Sequence, residues 1–177
     1  MLHLYRNKKP QMSVDITLRK GLTIPMSGMA DLKISSANLA DTFVIYPDDF
    51  HGIVPKMLLN EGEVVLRGQP IFYSKANPEI KFVSPVSGTL AKIERGAKRR
   101  ITALSITADG KDKAVVHKLA KLDKLGAADV KKHLLESGCW PFMKQRPYDV
   151  IADPNNTPKA IFISGFSTAP LAANVPF

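Results

Sequence analysis

Short apolar or alternating runs, separated by Gly and Pro residues, dominate the chain from residue 42 to residue 116. No stretch in this region repeats its apolar residues at helical spacing. Such runs are typical of short β-strands joined by turns. The predicted strands are TFVIYP, MLL, VVL, PIFYS, IKFVS, GTLAKIE and ITALSITA, and the earlier segment VDITL has the alternation of an edge strand.

The pattern changes after Val116, where KLAKLDKLGAADVKKHLLESG predicts a helix that Gly138 ends. Its apolar side chains at helical spacing are Val130, Leu134 and Leu135. An aromatic and basic segment, CWPFMKQRPYDVIADPNNTP, then leads to KAIFISGF, an apolar run typical of a buried strand. Helix, loop and strand in this order predict the beginning of an α/β layer.

The chain therefore divides into three parts. Residues 1–11 are basic and aperiodic, which predicts a flexible extension. Residues 12–116 form the β part, and residues 117–177 form the beginning of an incomplete α/β domain. One helix and one strand leave both faces of such a layer uncovered, so we expect the chain to end early or to need a partner.

The glycines and prolines of the β part mark turns in two similar halves. EGEVVLRGQPIF and SPVSGTLAKIERG each place Gly or Pro residues around a short strand. Two halves related by a rough twofold axis predict a flattened barrel of two small sheets. The glycines are interpreted as serving backbone geometry, because no phosphate-binding motif surrounds them.

Composition limits the class of protein. The chain has 177 residues, 45% hydrophobic content and a mean hydropathy of -0.06, which is enough to bury a core. It contains neither an apolar run long enough to span a membrane nor a signal peptide, which predicts a cytoplasmic chain. The single cysteine, Cys139, excludes internal disulfides and predicts a packed thiol.

The net charge of +9 raises the question of an acidic partner, either nucleic acid or an anionic membrane surface. The densest basic cluster is Lys98, Arg99 and Arg100. No RNA-binding aromatic signature, basic-region heptad or zinc finger accompanies it. This pattern favours a solvated or membrane-facing basic surface over nucleic-acid binding.

The β part resembles the biotinyl and lipoyl domain family, the barrel-sandwich hybrids, whose carriers hold a prosthetic group on a lysine at a hairpin tip. Lys75 falls near that place. However, ANPEIKF follows it, and no methionine or acidic pair flanks it. The sequence favours a solvated loop lysine and leaves a carrier of biotin or lipoate on Lys75 as an alternative.

A second resemblance extends from about Val14 to the last residues. The segments that carry it are ITLRKGLTIPMSG, DFHGIVPKMLLNEGEVVLRGQPIF, NPEIKFVSPVSGTLAKIERGAKRRITALSI and LLESGCWPFMKQRPYDVIADPNNTPKAIFIS. They are similar to the N-terminal region of the A subunit of the sodium-translocating NADH:quinone reductases, and RGAKR and WPFMKQRP are the most specific phrases. The C subunit of the Rnf electron-transfer complex is a related alternative, but it carries cysteine clusters for iron-sulfur centres, whereas this chain has one cysteine.

This resemblance implies a barrel-sandwich hybrid followed by the start of a Rossmann-like domain. It also implies a peripheral subunit on the cytoplasmic face of the bacterial inner membrane, bound to the membrane through the other subunits of its complex. That complex transfers electrons from NADH to ubiquinone and exports Na⁺. Its flavins and 2Fe-2S centre belong to other subunits, so we expect no cofactor on this chain. Family members are much longer, which implies an N-terminal fragment.

No residues of the chain form a recognisable catalytic or metal-binding motif. The histidines are scattered without an HExxH pair, and ISGFST has one glycine where a dinucleotide fingerprint requires two or three. The sequence therefore predicts no catalytic residue, no metal ligand and no NADH site.

A quinone head group needs an apolar slot and hydrogen-bond donors for its carbonyls. Two segments, CWPFMKQRPYDV and YPDDFHGI, supply such side chains. The predicted quinone-proximal residues are Trp140, Phe142, Lys144, Arg146, Tyr148, Phe50 and His51. The alternative is that these aromatics pack the junction between the barrel and the α/β domain, which is an ordinary role for aromatic side chains.

Overall fold

The computed structural model describes residues 24, 26–28, 30–31, 33–36, 38, 40–118, 124–165 and 169–172. The chain divides into two units, one of Ala37–Ile161 and one of Met1–Ser36 with Phe162–Phe177. In the second unit the described residues contain no helix or strand, and the Ala172 amide donates to the carbonyl of Ala169 at 3.0 Å. The predicted extension and the predicted strand VDITL lie outside the described residues.

The larger unit contains two antiparallel sheets built from short strands. The strands are β1 (Thr42–Ile45), β2 (Pro55–Met57), β3 (Val64–Val65), β4 (Pro70–Ser74), β5 (Lys81–Val83), β6 (Gly88–Arg95) and β7 (Ile101–Ala108). The 4-stranded sheet has the order β1-β7-β6-β3, and the 3-stranded sheet has the order β2-β4-β5. The predicted barrel of two small sheets is confirmed, and β4 and β7 have the predicted bounds.

The core lies between the two sheets and is filled by strand residues of both. Its fully buried hydrophobic side chains are Val65, Ile71, Phe72, Leu90, Leu104 and Ile106. The rings of Phe72 and Phe82 stack with their centroids 4.4 Å apart. Because successive side chains of a strand point to opposite faces, the alternation in β7 directs Leu104 and Ile106 inward. Ile71 and Phe72 are consecutive and both buried, at the register shift between β4 and β5.

Strands β6 and β7 form the longest hairpin of the described chain, with register shifts between Leu90 and Lys92 and between Glu94 and Arg95. Gly88 begins β6 opposite Ala108. A Cβ atom at Gly88 would overlap the carbonyl of Thr107, so only glycine fits at this crossing.

After β7 the chain returns along the barrel and is held by backbone hydrogen bonds to Arg67. The Arg67 amide donates to Lys113 O at 2.9 Å, and the Val115 amide donates to Arg67 O at 2.9 Å. These bonds form a parallel bridge between Arg67 and Ala114. These hydrogen bonds hold the end of the β part next to Arg67, which follows β3.

The predicted helix is confirmed as α1 (Ala127–Glu136). Its N-cap is Gly126, whose amide donates to the Asp129 carboxylate at 3.3 Å. It ends before Gly138, whose φ of +71° is the left-handed conformation that glycine adopts readily. Leu135 is buried, whereas Val130 is 36% exposed. Among the described helices, none is both long enough and apolar enough to cross a membrane.

The segment after α1 packs against the barrel within the same unit. A single-turn 3-10 helix, Trp140–Phe142, is followed by a hairpin of β8 (Lys144–Gln145) and β9 (Val150–Ile151). Trp140 and Ile151 join the hydrophobic core. Cys139 is exposed, so the prediction of a packed thiol was wrong. The chain instead buries Gly138 and Trp140, the two neighbours of this cysteine.

The predicted strand in KAIFISGF is also wrong. Residues 159–165 have no regular secondary structure, and the side chains of Ile161, Phe162 and Ile163 are 78%, 93% and 90% exposed. None of the described strands pairs with this segment. Apolar content alone does not form a strand, because a strand needs a neighbouring backbone for its hydrogen bonds.

Candidate functional site

Two of the predicted quinone-proximal aromatics pack the protein interior. Trp140 is 9% exposed, and its indole nitrogen donates to the carbonyl of Ala152 at 2.7 Å. Phe50 is half-buried and packs edge to face against two rings. The centroid of its ring lies 4.7 Å from that of Phe82 and 6.3 Å from that of Phe142. Packing of the junction, the alternative to quinone binding, therefore fits Trp140 and Phe50. These two side chains join the α1–β9 segment, residues 127–151, to the barrel.

Four predicted residues lie on the surface of the 3-10 turn and the β8–β9 hairpin. We call them the hairpin group: Phe142, Lys144, Arg146 and Tyr148. Phe142 is 75% exposed and Tyr148 is 76% exposed. Arg146 Nη1 lies 3.6 Å from the Asp149 carboxylate, and both side chains are largely exposed. Such a surface ion pair contributes little stability, so the guanidinium remains available to a ligand or a partner.

A cleft of about 370 Å³ lies beside His51, between the barrel and β9. Its lining residues are His51, Gly52, Ile53, Ser74, Ala76, Asn77, Ile80, Val150, Ile151, Asp153 and Asn155. Apolar walls combined with a few polar groups are typical of small-molecule sites.

The polar side chains of the cleft come from three turns, at His51, at Asn77 and at Asp153 with Asn155, and from Ser74 at the end of β4. Asn77 Oδ1 accepts a hydrogen bond from the Glu79 amide at 3.1 Å, which leaves the Asn77 amide group as a donor. Asn155 Nδ2 donates to Asp153 Oδ1 at 3.2 Å. His51 is exposed at the same cleft. These side chains offer hydrogen-bond donors next to the apolar walls.

The structure thus divides the seven predicted residues among three places. Trp140 and Phe50 pack the interior, the hairpin group lies on the surface, and only His51 lines the cleft. Sequence reasoning missed Asn77 and Asn155. Both occur in Pro- and Asn-containing turns, and nothing in their local sequence shows that the two turns meet.

Lys75 lies at the base of a turn rather than at its tip. It follows β4 directly, its amide donates to Val54 O at 2.9 Å, and the preceding Ser74 amide donates to Ile80 O at 3.0 Å. The turn itself continues through residues 76–79. Although the Lys75 side chain is exposed, this placement differs from the hairpin tip expected for a carrier lysine.

Acidic and metal-ligating side chains do not cluster in the described part of the chain. No group of three or more His, Cys, Asp and Glu residues lies close enough there to hold a metal ion. One carboxylate outside the cleft is perturbed. Hydrogen bonds from the Ser87 hydroxyl and then from the Lys111 amide lower the pKa of Asp109 below its ordinary value.

Two family models match the chain. The model of the NqrA N-terminal barrel-sandwich hybrid domain matches residues 16–109. The model of the NqrA second alpha/beta domain matches residues 125–177. The two matches follow the order of the observed elements, with the two-sheet barrel first and α1 second.

Curated relatives are named as the A subunit of Na(+)-translocating NADH-quinone reductase. The chain is 35% identical to the Haemophilus influenzae (strain PittGG) protein over 161 residues, which are 90% of this chain and 36% of the relative. It is 38% identical to the Tolumonas auensis protein over 162 residues, again 90% of this chain and 36% of the relative. The chain therefore spans about a third of the length of the curated relatives it matches.

Proposed function

Because the chain belongs to the NqrA family, with that family's N-terminal barrel-sandwich hybrid domain and the following alpha/beta domain, we propose that it is a peripheral part of a sodium-pumping NADH:quinone reductase. The complex would transfer electrons from NADH to ubiquinone and export Na⁺. The chain would lie on the cytoplasmic face of the bacterial inner membrane, in contact with other subunits. The observation that carries the proposal is the family match over residues 16–109, the region that folds as the barrel.

Within this complex the role of the chain is structural and quinone-proximal. The flavins and the 2Fe-2S centre are assigned to other subunits, as the resemblance implies. The support for a structural role is the continuous core, in which Leu135, Trp140 and Ile151 join the barrel residues. A rigid unit of this kind presents surface residues to neighbouring subunits in a fixed geometry.

Two features support quinone proximity, the cleft beside His51 and the exposed hairpin group. The cleft combines apolar walls with donors from His51, Asn77 and Asn155, which suits a ring with two carbonyl groups. The hairpin group adds exposed aromatic rings and the cations of Lys144 and Arg146. An exposed guanidinium can donate to a quinone carbonyl or to an acidic group of another subunit.

The test is Arg146→Ala in the full-length protein within the intact complex. Loss of a donor to a carbonyl costs about 1 to 3 kcal/mol, so the catalytic efficiency for quinone should fall by roughly 5-fold to 150-fold. NADH oxidation by an artificial electron acceptor should not change, because other subunits carry it out in this account. Steady-state kinetics with both acceptors measure the two activities separately.

Asp149→Asn is the matched control. It removes the ion pair with Arg146 and keeps the guanidinium, so quinone kinetics should remain close to wild type. If Arg146→Ala instead lowers the yield of assembled complex, and quinone activity falls only in proportion, Arg146 contacts a neighbouring subunit rather than quinone. Normal assembly together with normal quinone kinetics would remove Arg146 from both roles.

A further inference from the structure

The turn between β6 and β7 has a backbone conformation that its side chains do not favour. Lys98 has φ +54° and ψ +28°, and Arg99 has φ +60°, so two consecutive non-glycine residues are left-handed. The Arg100 amide donates to Ala97 O at 3.2 Å and closes the turn around them. This is the geometry of a two-residue hairpin turn, which strongly favours Asn-Gly at the central positions.

Long side chains at these positions carry an energetic cost. The Cβ atom of an L-residue clashes with its own backbone in the left-handed region, whereas glycine and asparagine tolerate it. Strained backbone conformations concentrate at functional sites, where the side chain has a role that glycine or asparagine could not fill. At this turn the retained side chains contribute two positive charges.

The charges at the turn belong to a compact basic group. We call it the basic tip: Arg95, Lys98, Arg99 and Arg100, all exposed. Arg100 pairs with Asp48, and the Arg95 guanidinium reaches the carbonyl of Arg99 at 3.4 Å. Among the described residues no carboxylate lies within ion-pair distance of Lys98 or Arg99. Lys98 and Arg99 therefore project from the β6–β7 hairpin without an ion-pair partner in the described part of the chain.

We propose that the basic tip binds the anionic phospholipid headgroups of a membrane surface. The tip residues between the cations are the small Gly96 and Ala97, so the tip lacks the large apolar centre of protein–protein interfaces. It also lacks the aromatic rings on which nucleotides stack. Binding to an anionic lipid surface requires only positive side chains close to the headgroups. The choice of a membrane rests on the proposed function, which puts the chain beside one.

The experiment is vesicle co-sedimentation of the 177-residue chain. Vesicles contain phosphatidylglycerol mixed with phosphatidylcholine, or phosphatidylcholine alone, and each series is repeated at high salt. The wild type should bind the anionic vesicles only, and high salt should release it. Lys98→Asn/Arg99→Gly should weaken this binding on the order of 30-fold, because each cation near an anionic surface contributes to attachment. That variant introduces the preferred turn sequence, so it should fold.

The matched control is Lys56→Asn/Lys75→Asn, which removes the same charge from exposed positions outside the β6–β7 hairpin. This control should bind nearly as tightly as the wild type. Equal losses in both variants, unchanged binding in the Lys98→Asn/Arg99→Gly variant, or no binding by the wild type would each overturn the proposal. A tip-dependent affinity for polyglutamate without vesicle binding would also overturn it, in favour of an acidic protein partner. The vesicle experiments need no other subunit. Their failure would therefore not decide whether the proposed function is correct, which is tested in the intact complex.

Discussion

The indole nitrogen of Trp140 donates a hydrogen bond to the carbonyl oxygen of Ala152 at 2.7 Å. This bond joins the 3-10 turn that begins at Trp140 to the backbone just after β9, across a hairpin that has only two residues in each strand. A two-stranded hairpin is marginally stable alone. Trp140 therefore anchors the hairpin that displays Arg146 and Tyr148.

The first prediction concerns this anchor. Trp140→Phe keeps a ring in the core and leaves the Ala152 carbonyl without its donor, so it should reduce the free energy of unfolding by about 1 to 3 kcal/mol. Trp140→Ala, which also creates a cavity, should reduce it by about 3 to 5 kcal/mol. Urea denaturation of the purified chain measures both changes.

Phe142→Ala supplies the comparison, because Phe142 is 75% exposed. Its effect on the free energy of unfolding should remain within about 0.5 kcal/mol. If Trp140→Phe were as mild as Phe142→Ala, Trp140 would not be a structural anchor.

The second prediction concerns Gly138, which has φ +71° and lies against Val83. A Cβ at Gly138 would overlap both methyl groups of Val83. Gly138→Ala should therefore combine left-handed strain of about 1 to 2 kcal/mol with overpacking of about 1 to 3 kcal/mol. The melting temperature and the free energy of unfolding should both fall.

Two further variants separate these contributions. Gly62 has φ +86° and open space where a Cβ would lie, so Gly62→Ala should show the backbone strain alone. In Gly138→Ala/Val83→Ala the overlap is relieved, and the two changes should cost less together than the sum of their separate effects. Strict additivity in this cycle would exclude the contact with Val83 as a source of the cost.

The third prediction is a pH dependence at the Ser87–Asp109 contact. The Ser87 hydroxyl donates to Asp109 Oδ1 at 2.6 Å, and the Lys111 amide donates to it at 2.9 Å. Both bonds favour the ionised carboxylate, so they lower the pKa of Asp109 below its ordinary value of 3.8. The stabilisation is present above pH 3.8 and is lost as the pH falls through the lower, folded-state pKa.

Ser87→Ala removes the larger of the two causes. The pKa of Asp109 should then rise toward its ordinary value. The free energy of unfolding should in turn depend less steeply on pH below pH 3.8. An NMR titration of the Asp109 carboxyl carbon in both proteins checks the shift. Identical titration midpoints would show that the hydroxyl does not set the pKa of Asp109.

The sequence was sufficient for the barrel because each strand of the barrel pairs with other strands in the described chain. ITALSITA became β7 with its alternation intact, and its inward side chains include Leu104 and Ile106. KAIFISGF has an equally apolar composition, but its described residues, 159–165, form no strand, because no described strand pairs with them. Local pattern predicts which residues prefer a strand, whereas pairing depends on residues elsewhere.

The site was less predictable because its parts meet only through tertiary structure. Trp140 and Arg146 belong to one short aromatic and basic segment, yet Trp140 is buried and Arg146 is exposed. The cleft joins the turn at Asn77 to the turn at Asn155, which are separated in sequence by β5, β6, β7 and α1. Composition identifies suitable side chains, but burial decides which of them a ligand can reach.

The fourth prediction concerns the stability of the β6–β7 turn. Lys98→Asn/Arg99→Gly replaces two strained residues by the pair that this turn favours. The free energy of unfolding should increase by about 1 to 2 kcal/mol, mainly through Arg99→Gly, because asparagine at position 98 keeps its Cβ atom. Chemical denaturation measures the change, and Lys56→Asn/Lys75→Asn, which alters charge without relieving strain, should leave stability near that of the wild type. A destabilised Lys98→Asn/Arg99→Gly variant would show that the turn is not strained.

The central claim is that the chain is part of the NqrA subunit of a sodium-pumping NADH:quinone reductase. The most direct measurement is affinity purification of the tagged full-length native protein from solubilised membranes, with mass spectrometry and activity assays on the purified material. The account predicts that flavin- and 2Fe-2S-containing subunits purify with it, together with an NADH:ubiquinone reductase activity that Na⁺ stimulates. A protein that purifies without these subunits, or one that carries biotin or a lipoyl group on Lys75, would contradict it.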